Sequence, residues 1–198
     1  MSSGTADAPA RTGEATVIVL LAGGEARRFP GKLEYPVDGR PMIAQLFERV
    51  RTTGWPVYVA GKGSFSPAVD ARLEAPLLID RHPLGGPLNA LLSACTVIRA
   101  SRVFALAADQ PRLDAGVLER LAASWRPGDE GVVPEHDGRI EPLAALYGRL
   151  AILREGFALR RTGANAMRDL VARIAVRFAA FDSSYFYNVN RMTDLLDR

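Results

Sequence analysis

Residues Val17 to Pro41 read VIVLLAGGEARRFPGKLEYPVDGRP, and this stretch decides the fold. Its first six residues, Val17–Ala22, are apolar and partly β-branched, a pattern typical of a strand that is buried on both faces. The strand ends at Gly23 and Gly24, which permit a turn and leave backbone N–H groups bare of side chains. Three cations follow within nine residues of the turn: Arg27, Arg28 and Lys32. This order of strand, glycines and cations predicts a binding site for a phosphate ester.

Two common glycine motifs do not fit this spacing. A P-loop, G-x-x-x-x-G-K-[ST], would need a glycine in place of Ala26 and a hydroxyl in place of Leu33. The dinucleotide fingerprint G-x-G-x-x-G also fails, because no glycine follows Gly24 until Gly31. A plain strand-to-loop turn with solvated arginines remains an alternative, since paired glycines after a strand are common.

Length and composition predict one domain. A chain of 198 residues, 48% hydrophobic and 24% charged, can bury one sizeable core. No apolar run reaches the roughly eighteen residues of a membrane span, and the N-terminus lacks the layout of a secretory signal. We therefore expect a cytoplasmic protein without a membrane segment. Residues 1–15 have the composition of a disordered tail, which leaves residues 16–198 as the expected domain.

The titratable residues limit the kinds of site that are possible. One cysteine, Cys95, and two histidines, His82 and His136, are too few for a disulfide framework or a zinc cluster. We expect Cys95 to pack within a helix and His136 to be a solvated loop residue. Any metal would be held by carboxylates and the substrate. The mild net charge of +3 and the scattered basic residues suit small anionic substrates better than nucleic acid.

Strand and helix patterns alternate along the rest of the chain. Strands are predicted over residues 57–61, 76–80, 103–108, 131–134, 142–148 and 174–181. Helices are predicted from Pro41 to near Gly54 and over residues 88–98, 114–125, 150–159 and 164–171. Such alternation predicts an α/β fold with a mainly parallel, doubly wound sheet. The Asp-Gly turn within residues 136–139 predicts a hairpin whose return strand is 142–148, which adds an antiparallel element.

Two further positions are candidate ligand sites. Asp109 stands at the carboxyl end of the 103–108 strand, where ligands bind in open parallel sheets, and could hold a Mg²⁺ that bridges nucleotide phosphates. Alternatively, Asp109 only caps the following turn. Gly85 and Gly86 precede Pro87 at the start of a helix, whose N-terminus could bind an anion. The alternative is that these glycines only permit tight packing.

The opening stretch contains the motif LAGG-x-x-R-R-x-x-G-K, and G-R-P follows seven residues after the lysine. Together these residues resemble the signature of small nucleotidyltransferases, most closely the MobA-like molybdenum cofactor guanylyltransferases. The resemblance covers most of the chain after about Val17 and implies a single-domain, three-layer, Rossmann-like nucleotidyltransferase fold. The chain departs from the usual pattern in the segment RFPGK, which lacks a methionine and two further residues. It also reads Ala108-Asp109-Gln110-Pro111 for C-D-T-P, and has Ala60-Gly61-Lys62 where an asparagine is frequent.

The resemblance implies Mg²⁺-dependent transfer of GMP from GTP to molybdenum-molybdopterin, giving molybdopterin guanine dinucleotide cofactor and pyrophosphate. A reaction of this kind needs positioning and charge neutralisation but no protein nucleophile. The nucleotide would be cradled by Leu21, Ala22, Gly23 and Gly24. Arg28 and Lys32 would stabilise the triphosphate, and Asp109 would bind Mg²⁺. Further contacts to nucleotide or cofactor are implied for Asp80, which matches an aspartate before the family's G-P-L segment, and for Asn188 and Asn190 of the N-V-N signature.

Other activities stay open at this point. A cytidylyltransferase acting on the same pterin is one alternative, although Ala22-Gly23-Gly24 favours GTP because cytidylyltransferases tend to have A-A-G. A non-catalytic carrier of molybdopterin or nucleotide is a second. A sugar-phosphate nucleotidyltransferase is disfavoured because the chain has little room for an extra substrate-binding portion. The resemblance further implies molybdenum insertion proteins and molybdoenzyme-specific chaperones as protein partners.

Overall fold

The structure, a computed structural model, describes residues 15–22, 31–61, 63, 65–80 and 85–189. The strands within these ranges are β1 (Thr16–Leu21), β2 (Pro36–Val37), β3 (Arg40–Pro41), β4 (Val57–Gly61), β5 (Leu77–Ile79), β6 (Arg102–Ala107), β7 (Gly131–His136), β8 (Arg139–Ile140), β9 (Ala144–Gly148) and β10 (Val176–Ala180). The α-helices are α1 (Met42–Val50), α2 (Pro67–Asp70), α3 (Pro87–Val97), α4 (Ala115–Ser124), α5 (Arg149–Arg161) and α6 (Met167–Val171). Both lists follow the predicted alternation of strands and helices.

The central sheet is mainly parallel, as predicted. Its strand order is β10-β7-β9-β6-β1-β4-β5, and β8 pairs with β7 outside this path. β1 runs parallel to β4 and β6, and β4 runs parallel to β5. β9 is antiparallel to both of its neighbours, β6 and β7. The strand β1, formed by the opening apolar stretch, therefore lies inside the sheet between two parallel partners.

Helices cover both faces of the sheet, which confirms a three-layer α/β domain. One core contains apolar residues of α3, α5 and α6 packed against Val17, Val19 and Leu21 of β1. The other core contains residues of α1 and α4 packed against Ile18 and Leu20. Alternate β1 side chains enter opposite cores, which explains why the strand is apolar at every position from Val17 to Leu21.

The helix boundaries follow local signals in the sequence. Pro87 occupies the first turn of α3, where its missing N–H removes no helical hydrogen bond. Asp114 caps α4, because its carboxylate Oδ1 accepts a hydrogen bond of 3.1 Å from the backbone N–H of Val117. Cys95 is fully buried in α3, and desolvation raises the pKa of its thiol to about 12. The prediction that Cys95 packs in the core is confirmed.

The hairpin predicted around residues 136–139 forms, and its predicted return strand pairs with β7. Asp137 and Gly138 both have positive φ, 46° and 69°, as a two-residue type I′ turn requires. The chain returns along β7 first as the short strand β8 and then as β9, which is antiparallel to β7 on one side and to β6 on the other. The residues of β9 from Ala144 to Tyr147 are all buried, which suits an interior strand better than an edge strand.

The prediction that His136 is a solvated loop residue is wrong. Its side chain is only 9% exposed, and Nε2 lies 3.1 Å from Oε1 of Glu141. The imidazole also stacks on the ring of Phe186, with centroids 5.1 Å apart. His136 is covered because the segment after β10 brings Phe186 back over the hairpin, a contact between distant parts of the chain that turn chemistry does not indicate.

Residues 1–14 lie outside the described ranges, so the disordered tail and the domain boundary stay predictions. At the start of the described chain, the carbonyl of Ala15 accepts hydrogen bonds from the backbone N–H groups of Ser101 and Arg102. Within the described ranges, no helix has both the length and the apolar character needed to cross a bilayer.

Candidate functional site

The carboxyl ends of four parallel strands meet at one edge of the sheet. The N–H of Ala22, directly after β1, donates to the carbonyl of Ala60 in β4 at 2.8 Å. Asp80, directly after β5, donates its N–H to Gly61 at 2.7 Å, and Ala108, directly after β6, donates to Leu21 at 3.3 Å. This edge therefore brings together Leu21, Ala22, Asp80 and the segment that carries Asp109, as the sequence predicts.

A cation from the glycine-rich segment reaches Asp109. Lys32 opens a 3₁₀ helix, Lys32–Glu34, after Gly31 in the left-handed conformation with φ 70°. Its Nζ lies 2.5 Å from Oδ2 of Asp109, although the two residues are 77 positions apart. Their side chains are only 13% and 21% exposed, so this ion pair is partly shielded from water. Gly23, Gly24, Arg27 and Arg28 lie outside the described residues.

The loop between β6 and α4, residues 108–114, holds Asp109 in place. Arg49 of α1 donates from Nη1 to the carbonyl of Pro111 at 2.6 Å. The backbone N–H of Val189 donates to the carbonyl of Asp109 at 3.1 Å. Since Asp114 caps α4 and the Asp109 carboxylate faces Lys32, the alternative that Asp109 serves as a turn cap is not supported.

The N-V-N segment lies beside this loop. Val189 is fully buried with Val37 of β2 and Met42 of α1. Asn188, partly buried, is thereby held next to the residue that binds the Asp109 carbonyl. Asn190 lies outside the described residues.

Asp80 is a buried carboxylate, with a relative exposure of 4%. Ser93 of α3 donates from Oγ to Asp80 Oδ1 at 3.0 Å, which fixes the carboxylate against the helix. Sequence reasoning missed Ser93. The available signal was a hydroxyl in an otherwise strongly apolar helix, two turns after the Gly-Gly-Pro segment.

The start of α3 supports the packing alternative for its glycines. Gly86 has φ 89°, and a Cβ at this position would lie 3.0 Å from the side chain of Asn165. The N–H of Leu88 donates to the carbonyl of Asn165 at 3.3 Å, so one of the first helical amides is already used. Asn89 donates from Nδ2 to the carbonyl of Gly85 at 2.8 Å. The predicted anion site at this helix N-terminus is thus partly occupied by the protein's own backbone.

The described residues contain no group of three His, Cys, Asp or Glu side chains that could enclose a metal ion. Asp109 is a single, partly exposed carboxylate at the edge of the sheet. Such a position fits Mg²⁺, which is commonly bound by one or two carboxylates and completed by substrate phosphates and water. It does not fit a metal that needs a cage of protein ligands.

The chain is similar in sequence and in fold to known proteins. The profile of the MobA-like NTP transferase domain matches residues 18–177. The "Probable molybdenum cofactor guanylyltransferase" of Mycobacterium marinum is 32% identical over 89% of this chain and 90% of its own. The molybdenum cofactor guanylyltransferase of Desulfosudis oleivorans is 26% identical over 92% and 93%. The crystal structure of molybdopterin-guanine dinucleotide biosynthesis protein A from Archaeoglobus fulgidus shares the fold, with a TM-score of 0.75, 24% identity and coverage of 91% and 95%.

Proposed function

Because the chain belongs to the MobA-like NTP transferase family, we propose that it transfers GMP from GTP to molybdenum-molybdopterin and releases pyrophosphate. The observation that carries this proposal is the meeting of Lys32 and Asp109 at the carboxyl edge of the sheet, next to the end of β1. A cation and a carboxylate at this edge are what a metal-complexed triphosphate needs. The relatives named guanylyltransferases support GTP as the donor.

The reaction requires no covalent enzyme intermediate. A phosphate oxygen of the pterin substrate attacks the α-phosphorus of GTP and forms the new P–O bond. The bond from the α-phosphorus to the bridging oxygen breaks, and pyrophosphate leaves with that electron pair. The protein's part is to align the two phosphates and to neutralise the charge that develops on the leaving group.

Each described candidate residue has a role in this scheme. Leu21 and Ala22 would approach the nucleotide with their backbone at the end of β1, and Asp80 would bind it from the end of β5. Lys32 would leave Asp109 and bind the triphosphate, while Asp109 would ligate Mg²⁺. Held by Asp109, the metal would supply charge neutralisation and Lewis-acid activation of the phosphates. Gly23, Gly24, Arg28 and Asn190 keep the roles given to them by the resemblance, and Asn188 would contact the cofactor.

The proposed reaction predicts pyrophosphate release when the protein is mixed with GTP, Mg²⁺ and molybdenum-molybdopterin. A coupled pyrophosphate assay measures it, and the dinucleotide product is identified by mass spectrometry. With CTP in place of GTP, we expect the rate to fall by at least about tenfold, corresponding to about 1.4 kcal/mol of discrimination. A faster reaction with CTP would establish the cytidylyltransferase. Binding of both substrates without pyrophosphate release would establish the carrier.

Replacing Ser93 by Ala is expected to raise the KM for GTP several-fold while kcat stays within about twofold, because the Asp80 carboxylate loses a hydrogen bond of 3.0 Å. The free energy of unfolding should fall by about 1–3 kcal/mol. Steady-state kinetics and denaturant titration measure both quantities. Thr96→Ala removes an exposed hydroxyl from the same helix and is the matched control. An equal change in KM in both variants would contradict a role of Ser93 in positioning Asp80.

Molybdenum insertion proteins and molybdoenzyme-specific chaperones remain proposed partners, and the cytoplasm remains the proposed location. Both come from the resemblance to the guanylyltransferases. They are compatible with a product that must be passed to other proteins.

A further inference from the structure

Arg112 lies in the same loop as Asp109 and carries a charge that no described residue pairs. Its side chain is exposed, and its guanidinium carbon lies 4.6 Å from the centroid of the Tyr187 ring. In the part of the chain that the structure describes, no carboxylate lies within ion-pair distance of Arg112. This differs from Lys32, whose charge is compensated by Asp109.

The contact with Tyr187 orients Arg112 without using its hydrogen-bond donors. A guanidinium over an aromatic ring is attracted by the ring quadrupole, and this attraction leaves N–H groups available to other acceptors. Those donors match two oxygens of a phosphate in a bidentate arrangement. An oriented guanidinium also loses less conformational freedom on binding than a freely moving side chain does.

The position of Arg112 relative to Asp109 is fixed by several contacts. The two residues are three positions apart, so their Cα atoms lie within about 11 Å of each other. Arg49 holds the intervening Pro111 carbonyl, and Val189, two residues after Tyr187, holds the Asp109 carbonyl. Arg112 and its aromatic support are therefore tethered to the backbone that positions the proposed Mg²⁺ ligand.

We propose that Arg112, supported by Tyr187, binds the phosphate of the acceptor substrate and aligns it for attack on the α-phosphorus of the nucleotide. The inference rests on the proposed function and adds a residue for its second substrate. Lys32 contacts Asp109 directly and would serve the triphosphate. Arg112 contacts Tyr187, one residue before Asn188, to which the proposed function gives a contact with the second substrate.

In the competing explanation, Arg112 has a purely structural role and only attaches the Tyr187 segment to the loop. The two explanations differ in which measurement changes. A phosphate contact affects acceptor binding, and its loss should be partly restored by a lysine, which keeps the charge. A purely structural contact affects the melting temperature and disturbs both substrates through the Asp109 loop.

The test uses the full chain and the variants Arg112→Gln and Arg112→Lys, with Arg99→Gln as the matched control. Arg99 is an exposed arginine between α3 and β6, at the opposite end of β6 from Asp109. We expect Arg112→Gln to raise the KM for molybdenum-molybdopterin by at least tenfold, with the KM for GTP changed by less than twofold. Arg112→Lys should recover part of that loss, and Arg99→Gln should behave like the unmodified protein.

A direct binding measurement tests the role of Arg112 independently of turnover. Titration with molybdopterin without GTP, followed by pterin fluorescence, should show weaker binding by Arg112→Gln even if no turnover occurs. No pyrophosphate release by the unmodified protein would overturn the proposed function alone. Equal molybdopterin affinity in Arg112→Gln and the unmodified protein, or a parallel rise of both KM values with a lower melting temperature, would overturn the role of Arg112.

Discussion

Replacing Asp109 by Asn is expected to lower GTP-dependent pyrophosphate release by at least about 100-fold, because the side chain keeps its size and loses the charge that we propose binds Mg²⁺. Complete removal in Asp109→Ala should abolish turnover. The fold should persist, since the backbone hydrogen bond from Val189 to the Asp109 carbonyl does not involve the side chain. Initial rates across a range of Mg²⁺ concentrations, with circular dichroism and thermal melting, measure activity and folding together.

The control for Asp109 is Asp129→Asn, which makes the same change of charge elsewhere. Asp129 pairs with Arg177 on the edge strand β10, and hydrogen bonds from Arg177 lower the pKa of this carboxyl group. The Asp129 side chain is 12% exposed and also accepts a hydrogen bond of 2.8 Å from the backbone N–H of Arg126, so the change should cost about 1–3 kcal/mol and leave the rate unchanged. Retained turnover in a folded Asp109→Asn protein at saturating Mg²⁺ would rule out the metal role.

Replacing Lys32 by Met is expected to lower turnover by about 100-fold and, in the same protein, to strengthen binding of a divalent cation without nucleotide. The first effect follows from loss of the charge that we propose stabilises the triphosphate. The second follows because Lys32 Nζ lies 2.5 Å from Asp109 Oδ2, so a metal ion must displace an ammonium group from its ligand. Titration calorimetry with Mn²⁺, used in place of Mg²⁺, measures the affinity, and the pyrophosphate assay measures the rate.

The double variant Lys32→Met/Asp109→Asn is the control for the competition between Lys32 and the metal ion for Asp109. It should lose the gain in Mn²⁺ affinity, because the added binding depends on the freed carboxylate. If Lys32→Met binds Mn²⁺ no better than the unmodified protein does, the metal does not compete with Lys32 for Asp109. If its turnover is unchanged, Lys32 does not stabilise the triphosphate.

Local patterns predicted the elements that build the site. The apolar runs that became β1, β4 and β6 indicate strands buried on both faces, and Pro87 and Asp114 mark the starts of α3 and α4. The convergence of these strand ends followed from the general behaviour of parallel sheets. Asp80 and Asp109 were therefore placed at the correct edge from sequence alone.

Contacts between distant segments could not be predicted in the same way. The turn at Asp137 and Gly138 predicted that β9 returns along β7, but the antiparallel pairing of β9 with β6 joins segments that are far apart in the sequence. The stacking of Arg112 on Tyr187 depends on where the segment after β10 crosses the site edge. Periodicity and turn chemistry describe neighbours along the chain, so they carry no information on such crossings.

The hydrogen bond from Val189 to Asp109 has a consequence for biosynthesis. Residues 187–189 leave the ribosome after every strand of the described sheet has been made. A nascent chain can thus form the strands of the described sheet before the Asp109 loop gains its hydrogen bond from Val189. The order of synthesis therefore separates formation of the sheet from completion of the hydrogen bonds of the Asp109 loop.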